Sequence, residues 1–329
     1  MSHHHNHDGH HHVHTSNKKV LAVSLAIISA FMLVEVVGGV LTGSLALLSD
    51  AGHMFSDALA IGFSLLAFKL GEKAVSARQT FGYQRLEILF ALLNGLTLVG
   101  IAVFIIIEAV ARFNHPPEIA TTGMLVVSSI GLLVNIAVAW YMHRNSDVEE
   151  NVNMKSAYLH VLGDLLGSVG AIAAALLMML FGWKLADPMV SVFFSLLIAH
   201  SGIGVMKSTF HILMQGAPTD IKQADLVRDI KAVGGMKNVH DLHLWTLTSR
   251  QHLLSAHLVV DGHISVNQAQ AVIDAVEQVA QRYGIGHSTL QIEGEGHGHS
   301  EALYCDANGG AYGHHHHEHD GHTHHGHKH

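Results

Sequence analysis

Two stretches of this chain carry a histidine and an aspartate four residues apart within otherwise apolar sequence. They are His53-Met54-Phe55-Ser56-Asp57 and His160-Val161-Leu162-Gly163-Asp164. On a helix, residues four apart stand one above the other on the same face. Each pair therefore presents an imidazole beside a carboxylate. An ionisable group at membrane depth is costly and marks a path for ions or substrate. Two such pairs offer two nitrogens and two oxygens, a donor set that suits four-coordinate zinc. A lone His on an apolar helix is more often a packing residue, so it is the recurrence on a second apolar segment that points to a metal. Asp50 extends the helical rhythm 50, 53, 57. It is either a partner that orients His53 or a residue near the outer mouth of the helix. Gly163, Gly167, Ser168 and Gly170 would let another helix approach closely. Glu35, Glu87, Asn94, Asn135 and His200 are further polar residues in or near apolar segments, structural or part of a proton or hydration path.

The elements that must position these pairs follow from composition. The chain has 329 residues, of which 49% are hydrophobic and 13% charged, with a mean hydropathy of +0.31. The apolar excess comes in six runs, at about 20–41, 44–69, 86–112, 121–142, 155–181 and 187–211. Each is near or above the roughly 20 residues that a helix needs to span the hydrocarbon core. The expected fold is an α-helical membrane protein with six transmembrane helices and a cytoplasmic α/β domain. Ser146-Asp147-Val148-Glu149 reads as a capping box ahead of the fifth helix. Lys18, Lys19, Lys69, Lys73, Arg78, Arg85, Arg144, Lys155 and Lys207 fall on one side, against Arg112 and Lys184 on the other. The positive-inside rule puts both termini in the cytoplasm of a multi-pass protein of the plasma (inner) membrane. No signal-peptide pattern precedes the first run, which is expected to stay as a membrane helix. The net charge of −8 argues against nucleic acid, leaving membrane lipid as the large-scale partner. A single cysteine, Cys305, excludes an intramolecular disulfide and a Cys-based zinc cluster within one chain.

Beyond about Gln215 the composition becomes that of a small soluble domain. Residues 219–234 read as a helix, 239–248 and 252–261 as paired strands around Ser249-Arg250-Gln251, 266–283 as a helix and 288–293 as a last strand. In the second strand Leu254, Ala256, Leu258 and Val260 alternate with Ser255, His257 and Val259. The order α-β-β-α-β suits a two-layer module. Eight of residues 3–14 and twelve of residues 297–329 are His. The expected division is a disordered tail at 1–16, a transmembrane domain at 17–213, a cytoplasmic domain at 214–295 and a second tail at 296–329. Either tail is native or a purification tag; interruption by Asn, Asp, Gly, Val and Glu favours native sequence. The tails would collect zinc weakly, and more weakly still below roughly pH 6.5, where imidazole protonates. Cys305 is either a tail ligand or an inert thiol.

The segments Ser49-Asp-Ala-Gly-His-Met-Phe-Ser-Asp57 and His160-Val-Leu-Gly-Asp-Leu-Leu-Gly-Ser168 resemble the paired signatures of the cation diffusion facilitator family, in its zinc-transporting branch. The likeness extends through Thr80-Phe-Gly-Tyr-Gln-Arg-Leu-Glu87, Ala186-Asp-Pro188 and Val239-His-Asp-Leu-His-Leu-Trp245, and covers about 17–293. The resemblance implies a homodimer with six helices per subunit, a metallochaperone-like cytoplasmic domain and export of metal in exchange for protons. It implies a transport site of His53, Asp57, His160 and Asp164, with His at 53 going with zinc preference. It also implies zinc at the cytoplasmic dimer interface through His240, His257 and Glu293. Gln291 and Gln270 stand where members with a two-ion cluster often have His, so one ion is expected there. The chain departs from the family in two places. Residues 69–86 contain no Asp or His, so no ion is expected in that loop. Residues 143–151 hold only His143, and the His-rich material lies at the termini.

The expected function is Zn²⁺/H⁺ antiport by alternating access, with Zn²⁺ as substrate and regulatory ion and no organic cofactor. Zinc needs deprotonated ligands, so its binding and proton release are coupled. No Gly-x-x-x-x-Gly-Lys-Ser/Thr loop is present to bind a nucleotide. An intramembrane metalloenzyme would need an open metal position with a general base, typically His-Glu-x-x-His, and that motif is absent. The alternatives are a membrane zinc sensor or buffer that does not transport, or a transporter with Cd²⁺ or Co²⁺ as main substrate, since both ions accept similar shells.

Overall fold

The computed structural model describes residues 8–71, 75–145, 152–249, 251–295 and 302–304. The capping box expected at Ser146–Glu149, residues 1–7 of the first His-rich tail and most of the second tail lie outside them. The division between two compact units falls between His211 and Ile212.

The first unit holds six long helices: α1 (Asp8–Thr42), α2 (Leu45–Gly71), α3 (Leu86–Asn114), α4 (Thr121–Asn145), α5 (Val152–Phe181) and α6 (Ala186–Leu213). Their apolar stretches follow the six hydrophobic runs. α1 starts at Asp8, so residues 8–16 are helical where a disordered tail was expected; extending an established helix costs little compared with nucleating one. Five of these helices, all but α2, are long and apolar enough among the described residues to cross a membrane. α2 is 27 residues long and carries Asp50, His53, Asp57 and Lys69.

Helices α1, α2, α4 and α5 pack together, and α3 packs on α2. Ala46, Leu47, Met124, Ala171, Ala174, Ala175, Met178 and Ala186 form one buried cluster, where α2, α4 and α6 start and α5 ends. Val20, Val138, Ala139, Met142 and Val161 form another, where α4 ends and α1 and α5 enter the bundle. Phe31, Met32 and Met54 fill the space at an intermediate level. α3 and α6 meet where Gly95 faces Gly202: a Cβ on Gly95 would stand 3.1 Å from the Gly202 carbonyl oxygen.

The second unit runs α7 (Gln223–Lys231), β1 (Met236–Thr248), β2 (Gln251–Val260), α8 (Val266–Arg282) and β3 (Ile285–Gly294). The sheet order is β1-β2-β3, with β1 and β2 antiparallel and β2 and β3 parallel. Thr248 pairs directly with Gln251, so a short connection suffices for the first pairing, whereas the parallel pairing needs the α8 crossover. Ser265 caps α8 in a full capping box with Gln268. Leu226 and Ile230 of α7 and Val272, Val276 and Val279 of α8 pack against Val239, Leu242, Leu244, Leu254, Ala256 and Leu258 of the sheet. Period-two alternation turns His257, between Ala256 and Leu258, to the sheet's other face.

Candidate metal centres

The α2–α5 crossing is antiparallel, and its register follows from two contacts. A Cβ on Gly167 would stand 2.7 Å from Asp50 Oδ1, so only glycine lets the Asp50 carboxylate lie against α5. Seven residues further along α2 and seven back along α5, Asp57 Oδ2 lies 3.0 Å from His160 Nε2. Seven residues are about two helical turns, so both contacts lie on one seam. Of the other small residues, Gly170 faces Phe194 and Val190 of α6, whereas a Cβ on Gly163 would meet open space.

Of the four side chains expected at the membrane site, His53, Asp57 and His160 form a compact group, and Asp164 adjoins it at His160. His53 Nδ1 and His160 Nε2 lie 3.8 and 3.0 Å from Asp57 Oδ2, and Asp164 Oδ2 lies 3.8 Å from His160 Nε2. The two imidazoles meet edge to face, with ring centroids 5.4 Å apart. Tetrahedral zinc with bonds near 2.0–2.1 Å holds its donors about 3.3 Å apart, and these separations bracket that value. His53, Asp57 and His160 each offer one donor atom, all within 4.8 Å of one another. Their side chains are 27%, 31% and 39% exposed, whereas that of Asp164 is 1% exposed. Both Asp164 oxygens are buried without a hydrogen-bond partner among the described residues. A carboxylate so placed needs a cation or a proton, so the donor set fits a divalent ion.

The N-terminus of α2 is tied down from α6. Asp187 is fully buried and accepts hydrogen bonds from Ser44 Oγ (2.7 Å), Leu45 N (2.9 Å) and Ala46 N (3.1 Å). Arg112 Nη1, at the end of α3, lies 3.7 Å from Asp187 Oδ2 and donates to the Gly43 carbonyl. A side chain 143 residues away thus caps the helix that carries His53 and Asp57. Beneath the site, Ser56 Oγ donates to Asn94 Oδ1 of α3 at 3.0 Å. Asn94 thus supports α2. Asn135 of α4 reaches Ser168 Oγ of α5 at 3.5 Å. Glu35 is 1% exposed and lies within electrostatic reach of Asp50 and Asp164.

In the second unit each strand supplies one residue of the expected site. His240 of β1 pairs directly with His257 of β2, and Glu293 comes from β3. Glu293 Oε2 lies 3.0 Å from His240 Nε2, and its Oε1 lies 2.9 Å from His257 Nδ1. His240 and Glu293 are buried, and the two rings stand 5.2 Å apart. Donor atoms of the three lie within 4.8 Å of one another. Two imidazole nitrogens and a carboxylate at this spacing fit zinc. Gln291 Nε2 donates to Glu293 Oε1 at 2.7 Å and so helps to orient that carboxylate. Two further histidines of this unit have polar partners: His243 meets Asp241 at 3.1 Å and His252 meets Thr246 at 3.2 Å. Sequence reasoning passed over Asp241. Its signal was a carboxylate at a strand position that strict alternation would turn towards the core.

Residues 21–214 match the family described as the cation efflux transmembrane domain, and residues 218–295 match the cation efflux protein, cytoplasmic domain. The chain is 46% identical over 297 residues to a Bacillus subtilis protein named cadmium, cobalt and zinc/H(+)-K(+) antiporter, covering 90% of this chain and 96% of that one. It is 39% identical over 287 residues to the metal cation efflux system protein CzcD of Cupriavidus metallidurans, covering 87% and 90%. It is likewise 39% identical over 295 residues to the zinc transporter ZitB of Escherichia coli, covering 89% and 93%.

Proposed function

The chain belongs to the cation efflux family, the cation diffusion facilitators, and from that premise we propose that it exports Zn²⁺ in exchange for protons. The family is one of membrane transporters that move divalent cations, not enzymes. The observation that carries the finer reading is the convergence of His53, Asp57, His160 and Asp164 on the seam between two antiparallel helices. The same donor atoms bind zinc when deprotonated and protons when not, so loading one expels the other. Half-exposed imidazoles beside a buried Asp164 support an ion that enters past the histidines and is held by the carboxylate. Alternating exposure of such a site to the two sides of the membrane gives exchange without a nucleotide.

We read α2 as a sixth span. It follows α1 after a two-residue turn, and Arg112 at the end of α3 reaches the Gly43 carbonyl at the end of α1. If α1 and α3 both cross and finish on one side, α2 must carry the chain back. Both termini then lie on the side richer in Lys and Arg, the cytoplasm. We further read the protein as a homodimer of the inner membrane whose cytoplasmic domain binds a regulatory zinc ion at His240, His257 and Glu293.

A second reading, in which Cd²⁺ or Co²⁺ is the main substrate, is favoured by the name of the Bacillus relative. Two imidazoles and two carboxylates accept all three ions. Proton-gradient-driven uptake into inside-out vesicles, run with Zn²⁺, Cd²⁺, Co²⁺, Mn²⁺ and Ni²⁺ and with and without K⁺, tests both. The expected result is zinc uptake that collapses with the proton gradient. Zinc binding without uptake would leave a sensor or buffer instead.

A further inference from the structure

Strand β1 carries a fault beside the cytoplasmic site. Between His240 and His243 it advances three residues while β2, from His257 to Ser255, advances two. The extra residue makes a β-bulge, and Asp241 sits there with φ +48°. Left-handed backbone is costly for residues with a side chain, and Asp is among the few that tolerate it. Bulges gather next to functional sites, where they re-aim a side chain. In regular β1 the Asp241 carboxylate would point with Val239 towards the apolar core. The bulge brings it back to the metal face. There Oδ2 lies 3.3 Å from His257 Nε2 and Oδ1 lies 3.1 Å from His243 Nε2.

His257 thus stands between two carboxylates. Its Nδ1 faces Glu293 at 2.9 Å and its Nε2 faces Asp241 at 3.3 Å. A neutral imidazole has one N–H to give. If that proton sits on Nδ1, it occupies the nitrogen that faces Glu293. If it sits on Nε2, it faces the Asp241 carboxylate and leaves the Nδ1 lone pair on the side of Glu293. We propose that Asp241 is a positioning residue for the cytoplasmic ion, holding His257 in the Nε2–H tautomer so that Nδ1 is the ligand atom. This is the arrangement in which a carboxylate orients a metal-bound histidine and raises its basicity. His243, bonded to the other Asp241 oxygen, steadies the carboxylate. The inference rests on reading His240, His257 and Glu293 as an ion site.

The test uses the full-length protein in lipid nanodiscs, with the membrane site silenced by Asp57→Ala and Asp164→Ala. Zinc affinity is read by competition with a chelator strong enough to strip the tails. In that background Asp241→Gly, which suits the left-handed backbone, should weaken zinc binding by about 10- to 100-fold. Asp241→Asn should lose less, because its amide oxygen can still accept the Nε2–H bond. Diffraction at the zinc edge should place the ion on His257 Nδ1. Parental affinity in Asp241→Gly would overturn the proposal. So would an ion bound to Nε2 with the Asp241 carboxylate as a direct ligand. His240→Ala, His257→Ala, Glu293→Ala is the control. If that triple variant keeps parental affinity, the ion site itself is misread; if it loses zinc while Asp241→Gly does not, only the role of Asp241 fails.

Discussion

Asp164 is buried with neither carboxylate oxygen hydrogen-bonded among the described residues, so its charge balance depends on what occupies the space beside His160. Asp57→Ala and Asp164→Ala each remove one of the four proposed donors and leave the rest unbalanced. Each should abolish zinc flux in sealed vesicles, with expression and dimerisation at wild-type levels. Wild-type flux in either would take this cluster out of the transport path. His53→Asp exchanges an imidazole nitrogen for a carboxylate oxygen, a harder donor. The metal ranking in the same assay should shift towards Mn²⁺ or Cd²⁺, and an unchanged ranking would put the selectivity elsewhere.

At the scale of elements, the placement of α2 depends on a side chain of α6. Asp187 holds the first turn of α2 through three hydrogen bonds and balances Arg112 within a buried site. Asp187→Ala leaves two backbone N–H groups and a guanidinium without that partner. The expected loss is roughly 3 kcal/mol of stability, read as a lowered thermal midpoint in detergent. Zinc flux should also fall, because α2 carries two of the four proposed donors. A variant with unchanged midpoint and flux would show that α2 is placed by packing alone. In the second unit α7 is tied to the end of α8 by the Tyr283 hydroxyl, which donates to Asp229 Oδ2 at 2.8 Å. That bond holds the Asp229 carboxyl below its ordinary range. Its contribution is therefore present above the ordinary carboxylate pKa and is lost as pH falls through the lowered one. The difference in thermal midpoint between wild type and Tyr283→Phe should persist at neutral pH and vanish in strong acid; a difference that does not change with pH would assign the effect to packing.

For the whole molecule, in the proposed homodimer two cytoplasmic domains tethered to neighbouring subunits would meet at high effective concentration, so a modest zinc site would suffice to govern their arrangement. A distance probe between the two copies of Lys237 should report approach on adding zinc, and His240→Ala, His257→Ala, Glu293→Ala should abolish it while retaining some transport. Closure of that variant at the wild-type zinc midpoint would move the sensor to other histidines. Such coupling requires zinc to bind one arrangement better than the other. Local patterning was enough to announce the long apolar helices, the alternation in β2 and the two His-x-x-x-Asp pairs, because these patterns repeat at the period of a single helix or strand. It also carried the Ser265–Gln268 box, a local signal that the expected helix start at 266 left unnamed. Packing between elements alone shows that Asp50 lies against Gly167, that Asp187 caps a helix begun 142 residues earlier, and that a bulge turns Asp241 towards His257. Those contacts depend on the register in which separate elements pack, and register is settled by the summed burial and hydrogen bonding of whole surfaces, which no local spacing encodes.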